Sequence, residues 1–211
     1  MSAEAELILV RHGETVGDSA VRLYGSTDIE LSDLGRRQMD RVRDALDGIE
    51  LEHLFVSPLQ RSRDSAAIVC DGRSLGETVT EAFREIDFGK WEGLTVEEVG
   101  AADPGGLAAW KSGDPEWAFP GGDTRSAFAG RVRAEALLRF GGLRGRALAV
   151  LHKGVVKTIV GALLGHRHEA YSRLPCELGC VYRLERRGVC WRVTSECEVG
   201  HLGADRLPAS R

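Results

Sequence analysis

The chain has 211 residues, of which 43% are hydrophobic, and its 28 basic and 32 acidic residues give a formal net charge of −4. These values are typical of a folded globular chain and exclude disordered, collagen-like and coiled-coil classes. The near balance of charge also excludes the broad electropositive surface that nucleic acids and anionic membranes require, so any anion site must be a local cluster. At this length we expect a single domain spanning residues 1–211.

Strand and helix patterns alternate over the first 70 residues. The apolar run Leu7–Val10 predicts a strand buried on both faces, and polar chemistry begins where it ends, at Arg11. Ser32 is placed to cap a helix. The other elements predicted here are a helix from about Leu34 to Asp47, a strand over Leu54–Ser57, and a helix over about Leu59–Cys70 with Pro58 in its first turn.

The second half continues the alternation around an irregular insertion. Residues 94–122 are weakly helical and interrupted by proline and glycine, which predicts a small helical lid-like insertion over the sheet. The other predicted elements are a strand over Thr78–Thr80, a loop over Phe83–Gly93, a helix over about Thr124–Phe140, a strand over Ala147–Leu151, a helix over Gly154–Leu164, and a hairpin of Cys180–Leu184 with Cys190–Thr194. The predicted fold class is an α/β three-layer sandwich with a central, mostly parallel sheet flanked by helices.

The expected cellular location and the absence of a membrane partner are inferred from two sequence patterns, a membrane span and a signal peptide. No run approaches the roughly 18 apolar residues of a membrane span, and residues 1–6 carry acids where a signal peptide carries basic residues. We therefore expect a cytoplasmic protein with no membrane partner. The oligomeric state is left open, and a homodimer is compatible with the sequence.

Four of the five cysteines fall close together, at Cys176, Cys180, Cys190 and Cys197. Their spacing fits no standard zinc motif. We therefore interpret them as small buried hydrophobic residues on adjacent strands and expect no metal site, either here or at His166 and His168.

Two predicted central strands end in histidine, at His12 and His152. Ligands of open α/β sheets bind beyond the carboxyl ends of the strands, so both imidazoles are candidates for one crevice. Arg11 and Arg61 fall at the same edge, and the four side chains together predict a cationic pocket. Such a pocket favours a phosphoryl group, because guanidinium groups match phosphate oxygens in geometry and charge.

Six segments of sequence resemble the successive motifs of the histidine phosphatase superfamily, also called the phosphoglycerate mutase-like family. The segments run in order from about residue 6 to residue 202. They are Arg11-His12-Gly13-Glu14-Thr15, the segment from Arg22 to Gly35, Ser57-Pro58-Leu59-x-Arg61, the segment from Glu85 to Gly93 together with Pro120-Gly121-Gly122-Asp123, and His152-x-Gly154-Val155.

The resemblance implies metal-free phosphoryl transfer through a phosphohistidine, without a cofactor. His12 would be the nucleophile, and Glu85 would be the general acid and then the general base. The apolar neighbours of Glu85 are suited to raising its pKa. The phosphoryl oxygens would be neutralised by Arg11, Arg61 and His152, with backbone N–H groups near Gly13 and Lys153.

The chain departs from the family pattern at two positions. Asp18 stands where relatives commonly carry an asparagine that binds phosphate, so we expect its side chain either to turn away or to pair with Arg22. Lys153 stands where relatives commonly carry glycine, and it points either into the substrate pocket or to solvent. Tyr24 and Gly25 match positions that border the substrate in relatives.

The sequence favours a compact phosphatase acting on a small phosphorylated metabolite, resembling α-ribazole phosphatase or the broad-specificity phosphatases. A cofactor-dependent phosphoglycerate mutase is the alternative, but Lys111 is the one cation between residues 100 and 122, where true mutases carry basic residues. A non-catalytic relative that binds a phospho-ligand is disfavoured because His12 and Glu85 are both present. Trp110, Trp117 and Phe119 would either line a substrate pocket or belong to the core of the insertion.

Overall fold

A six-stranded sheet lies at the centre of the computed structural model, which describes residues 3–166 and 168–207. The strand order is β3-β2-β4-β1-β5-β6. The strands are Ala5–Arg11 (β1), His53–Val56 (β2), Glu77–Val79 (β3), Gly145–Leu151 (β4), Val181–Arg187 (β5) and Cys190–Glu198 (β6). The first four are parallel, whereas β5 is antiparallel to β1 and β6 to β5, so the predicted mostly parallel sheet is confirmed.

Helices cover both faces of this sheet. They are Asp33–Ala45 (α1), Gln60–Val69 (α2), Val96–Ala102 (α3), Pro104–Ser112 (α4), Arg125–Phe140 (α5), Lys153–Leu163 (α6) and His168–Tyr171 (α7). Successive side chains of a strand point to opposite faces. Ile8 and Val10 accordingly join a cluster with α1 and α2, whereas Leu7 and Leu9 join a cluster with α5 and α6. The three-layer arrangement is therefore confirmed.

The residues predicted to begin the first two helices agree with the structure for α1 and differ from it for α2. The hydroxyl of Ser32 accepts a hydrogen bond from the Gly35 N–H at 3.0 Å, so the predicted cap of α1 is confirmed. The placement of Pro58 in the first turn of α2 is wrong, since that helix begins at Gln60. The preceding residue, Leu59, has an extended backbone with φ −68° and ψ 137°, which keeps Pro58 outside the helix.

The insertion contains the two short helices α3 and α4, joined at Asp103. That residue ends α3, and its side chain caps α4 by accepting the Gly106 N–H at 2.8 Å. The aromatic side chains of the insertion pack on one another and on Trp91, with ring centroids 5.0–6.3 Å apart, and Phe119 is fully buried. This packing favours the core interpretation of Trp110, Trp117 and Phe119. A lid role for the insertion stays a prediction.

The cysteines differ from the expectation of buried residues on adjacent strands. Cys176 and Cys180 are buried but precede β5, and Cys190 is exposed on β6 because it begins that strand at the hairpin turn. Within residues 3–166 and 168–207, no three His, Cys, Asp or Glu side chains are grouped to hold a metal ion. The side chain of His168 lies outside the described residues. No helix in the described part is both long enough and apolar enough to cross a membrane.

Candidate active site

The two histidines meet because β1 and β4 are parallel neighbours. Arg11 is paired with Leu151 in the register, so His12 and His152 leave the sheet side by side. The backbone N–H of His12 donates to the Leu151 carbonyl at 2.9 Å. The ring centroids of His12 and His152 are 5.2 Å apart. Both side chains are buried. Both imidazoles therefore lie together at the carboxyl ends of the parallel strands, as expected.

The ring of His12 is oriented by its own loop. Its Nδ1 lies 2.7 Å from the carbonyl oxygen of Gly13. A carbonyl oxygen can only accept, so Nδ1 carries the proton in this contact. In the neutral ring the lone pair then lies on Nε2, which is the atom available for attack.

Burial controls the charge of both rings. It lowers the pKa of His12 well below 6.5, and the nearby charges of Arg61 and Arg11 lower it further. The pKa of His152 is lowered in the same way, first by burial and then by Arg61. Near neutral pH the positive charge of the predicted cationic pocket therefore comes from Arg11 and Arg61.

Arg61 is held rigidly at the start of α2. Its Nη1 donates to the Thr27 carbonyl at 2.8 Å and its Nη2 to the Gly25 carbonyl at 2.7 Å. Its Nε donates to Nδ1 of His152 at 3.2 Å. Burial lowers the pKa of Arg61 to about 10, which still leaves it charged at neutral pH. Because Nδ1 of His152 accepts this bond, its Nε2 carries the proton.

Two buried donors at this edge lack a hydrogen-bond partner within the described chain. They are Nε2 of His152 and Nε of Arg11. Arg11 is fixed separately, since its Nη1 donates to the Cys176 carbonyl at 2.7 Å. Buried polar atoms without partners are uncommon, and two such donors at one edge of the sheet favour an anion with several acceptor oxygens.

Glu85 lies beside the same histidines, at the N-terminus of α6. Its Oε2 accepts the Gly154 N–H at 2.8 Å and its Oε1 accepts the Ile86 N–H at 3.0 Å. Glu85 is only 6% exposed, and its sequence neighbour Ile86 is buried as well. The contact with Gly154 therefore places the Glu85 carboxyl group two residues after His152.

Glu92 is a site residue to which the sequence analysis gave no role. Its carboxylate accepts the backbone N–H groups of Gly25, Ser26 and Thr27, at 2.9–3.3 Å, and that of Phe88 at 3.0 Å. The segment Gly25–Thr27 is thus held by Glu92 at its N–H groups and by Arg61 at its carbonyls. Only glycine fits at position 25, where a Cβ would lie 1.8 Å from the Ile86 carbonyl oxygen.

Phosphate binding by backbone N–H groups near Gly13 stays a prediction, although the N–H of Gly13 itself has a partner within the chain. That N–H donates to the hydroxyl of buried Ser65 at 3.3 Å. Ser65 follows Arg61 by four positions, which places both side chains on one face of α2. This spacing in the sequence could have identified Ser65 as a residue of the candidate site.

Three predicted substrate residues lie away from the histidines' hydrogen-bond network. Asp18 is exposed, with a left-handed φ of 63°. Arg22 pairs with Glu98 at 2.8 Å and donates to the Gly93 carbonyl at 2.7 Å. Of the two alternatives for Asp18, the structure therefore agrees with a side chain that turns away to solvent and not with an ion pair to Arg22. Glu98 captures Arg22 because the capping box of α3 fixes its carboxylate nearby. Tyr24 donates to the Gly17 carbonyl at 3.1 Å.

Comparison with known proteins identifies the class. The sequence profile of the histidine phosphatase superfamily (branch 1) matches residues 7–198, and the chain belongs to this family. It is an enzyme, a phosphatase of the histidine phosphatase type.

Individual relatives have phosphatase names. The chain is 32% identical to a glucosyl-3-phosphoglycerate phosphatase of Mycolicibacterium vanbaalenii over 75% of this chain and 74% of that one. It is 27% identical to phosphoserine phosphatase 1 of Hydrogenobacter thermophilus over 93% and 95% of the two chains. The crystal structure of the α-ribazole phosphatase from Shigella flexneri superposes with a TM-score of 0.82 at 25% identity, covering 92% of this chain and 96% of that one.

Proposed function

We propose that this protein hydrolyses phosphomonoesters of small metabolites without a metal ion, through a phosphohistidine on His12. The observation that carries the proposal is the arrangement around His12. Its pKa is lowered by burial and by the nearby charges of Arg61 and Arg11, and its Nδ1 faces the Gly13 carbonyl, which leaves Nε2 as the neutral nucleophile. The phosphatase names of the relatives support hydrolysis.

In the first step, Nε2 of His12 attacks phosphorus and forms the N–P bond as the bond to the ester oxygen breaks. Glu85, protonated at this stage, gives its proton to the departing alkoxide and becomes a carboxylate. Arg11 and Arg61 neutralise the phosphoryl oxygens, and the N–H at Nε2 of His152 donates to one of them.

In the second step, a water molecule attacks phosphorus. Glu85 takes one proton from that water, and the N–P bond breaks as the new P–O bond forms. Inorganic phosphate leaves, His12 is neutral again, and Glu85 is again protonated. No proton or electron is left over, so the cycle needs no co-reactant besides water.

Mutase activity is the second candidate, because one relative is a probable phosphoglycerate mutase of Erwinia tasmaniensis, 26% identical over 93% of this chain. A mutase must hold its reoriented intermediate while the phosphoryl group remains on histidine. The insertion offers one cation for this, Lys111, which is exposed at the end of α4. This supports hydrolysis over transfer.

The test is to trap the intermediate. Brief incubation with a phosphoryl-labelled substrate should leave an acid-labile, alkali-stable label on the wild-type protein and none on His12→Ala. The exposed His53 provides the matched control, since His53→Ala should still be labelled. Label that survives in His12→Ala would overturn the assignment. Activity should also survive exhaustive chelation, and loss that a divalent ion restores would overturn the metal-independent mechanism.

A further inference from the structure

Three cysteine thiols that have no part in the proposed reaction lie together where the chain enters β5. The Cys180 thiol donates to the sulfur of Cys176 at 3.7 Å and also contacts the thiol of Cys197. The Cys197 sulfur in turn accepts the Glu177 N–H at 3.5 Å. All five cysteines of the chain are free thiols. Cys176 and Cys180 are therefore two reduced thiols in direct contact.

A tight turn brings Cys176 and Cys180 together. The Cys180 N–H donates to the Glu177 carbonyl at 3.2 Å, and Gly179 within the turn has a left-handed φ of 68°. The sulfurs of a disulfide are about 2.05 Å apart, so the two thiols would have to approach from 3.7 Å to form one. Formation of that bond would therefore change the shape of the turn.

Cys176 also lines a cavity of about 170 Å³, together with Arg11, Lys153 and Lys157. Pockets for drug-sized ligands measure roughly 300–1,000 Å³, so this cavity suits reagents of a few atoms, such as hydrogen peroxide. The hydrogen bond from the Cys180 thiol lowers the pKa of Cys176, and the positive charge of Arg11 lowers it further. A larger fraction of thiolate favours reaction with an oxidant.

The turn is bonded directly to the residues of the candidate active site. Nη1 of Arg11 donates to the Cys176 carbonyl at 2.7 Å, and the backbone N–H of Arg11 donates to the Cys180 carbonyl at 3.1 Å. The Gly179 N–H donates to the His12 carbonyl at 3.3 Å. A change in the turn therefore moves the Arg11 guanidinium group relative to His12.

We infer that Cys176 and Cys180 are a site of reversible oxidation by a hydroperoxide, and that the disulfide between them slows phosphoryl transfer by displacing Arg11. The effect on turnover rests on the proposed function, whereas the oxidation does not. Misplacing a catalytic group by about 1 Å can slow a reaction about 10²-fold, so the approach of the two sulfurs is large enough to matter.

The oxidation takes two steps. The Cys176 thiolate attacks one oxygen of hydrogen peroxide, so that an S–O bond forms and the O–O bond breaks. The hydroxide that leaves takes up a proton and becomes water. The Cys180 sulfur then attacks the sulfenic acid, the S–S bond forms, and the S–O bond breaks with release of a second water that carries the Cys180 proton. The two thiols lose two electrons, which the peroxide gains.

Peptide masses test the disulfide. Trypsin releases Cys176 and Cys180 in one peptide, residues 174–183, and Cys197 in another, residues 193–206. After treatment with stoichiometric hydrogen peroxide and alkylation of the remaining thiols, we expect the first peptide to be unalkylated and lighter by two hydrogens. Dithiothreitol should restore alkylation of both thiols. Alkylation of Cys180 after peroxide treatment, or a covalent link between the two peptides, would overturn the assignment.

Turnover of p-nitrophenyl phosphate tests the effect on Arg11. Peroxide should lower the kcat/KM of the wild type about tenfold or more, and dithiothreitol should restore it. Cys176→Ser and Cys176→Ala, each compared with its own untreated rate, should lose less than about twofold. Cys190→Ser is the matched control because Cys190 is exposed and lies outside the cluster. This variant should lose activity as the wild type does.

Two results would overturn the link between the disulfide and the reaction. One is unchanged turnover in a protein whose peptide masses show the disulfide. The other is an equal loss of activity in the Cys176 variants, which lack the disulfide. Absence of turnover in the reduced wild type would instead overturn the hydrolase proposal, and the peptide masses would still decide whether Cys176 and Cys180 are the oxidation site.

Discussion

Replacing Glu92 with glutamine tests whether the carboxylate that holds Gly25–Thr27 also keeps Arg61 in place. Oε1 accepts backbone N–H groups from Gly25, Ser26 and Phe88, and Oε2 accepts those of Gly25 and Thr27 together with the Thr27 hydroxyl at 2.6 Å. Whichever oxygen becomes the amide nitrogen, the new NH₂ group faces backbone donors and can accept none of them.

The expected loss follows from these contacts. Leaving a buried donor unsatisfied costs about 1–3 kcal/mol. The substitution leaves one or two such donors and removes the charge that strengthens the remaining bonds. Because the Thr27 side of the cluster is exposed, we expect the free energy of unfolding to fall by about 2–4 kcal/mol in total. The Gly25 and Thr27 carbonyls position Arg61, so kcat should also fall about tenfold or more.

Urea unfolding and turnover of p-nitrophenyl phosphate measure the two effects. Glu116→Gln is the control, because the Glu116 carboxylate is exposed and accepts no hydrogen bond from the described residues. It should change stability by less than about 0.5 kcal/mol. A Glu92→Gln protein as stable and active as this control would refute the reasoning.

Three further outcomes are expected. Glu85→Gln should slow an alkyl phosphate about 10²–10⁴-fold in the transfer step and p-nitrophenyl phosphate far less, because only a basic alkoxide needs protonation, so equal slowing in burst rates would contradict the acid role. Asp18→Asn should leave phosphate inhibition unchanged, since the side chain is exposed, and a changed inhibition constant would place the carboxylate in the site. Because folding lowers the pKa of His12 and His152 below 6.5, the stability that they contribute is present above pH 6.5 and is lost as the pH falls towards the folded values, by up to about 1.4 kcal/mol per pH unit each. Urea unfolding between about pH 7.5 and 5.5 should show a shallower slope for His152→Gln than for the wild type, and equal slopes would contradict this.

The sequence predicted those features that local patterns encode. Leu7–Val10 indicated a central strand because a strand buried on both faces is apolar throughout, and Ser32 indicated the start of α1 through its capping hydroxyl. The two histidines could be predicted to meet because each directly follows such a strand. Each of these predictions depends only on residues that are close together in the sequence.

Features that depend on contacts between distant segments could not be predicted in the same way. An ion pair of Arg22 with Asp18 was one of two alternatives, but the acidic partner of Arg22 is Glu98, which lies 76 positions away. Glu92 reaches Gly25 across 67 positions. His152 is neutral because burial lowers its pKa. That burial depends on the segments that pack around His152, which its position at the end of a strand does not reveal.

The position of β1 in the sheet also bears on how the chain is made. Its neighbours are β4 on one side and β5 on the other, and both are synthesised long after it. Until β5 has been synthesised, the backbone N–H and C=O groups along that edge of β1 have no partner strand. Leu7–Val10 form an apolar segment, which favours pairing of this edge with other chains. Premature termination before Val181 would leave both histidines in the product but expose that edge permanently. We expect such fragments to aggregate rather than to act as weak enzymes.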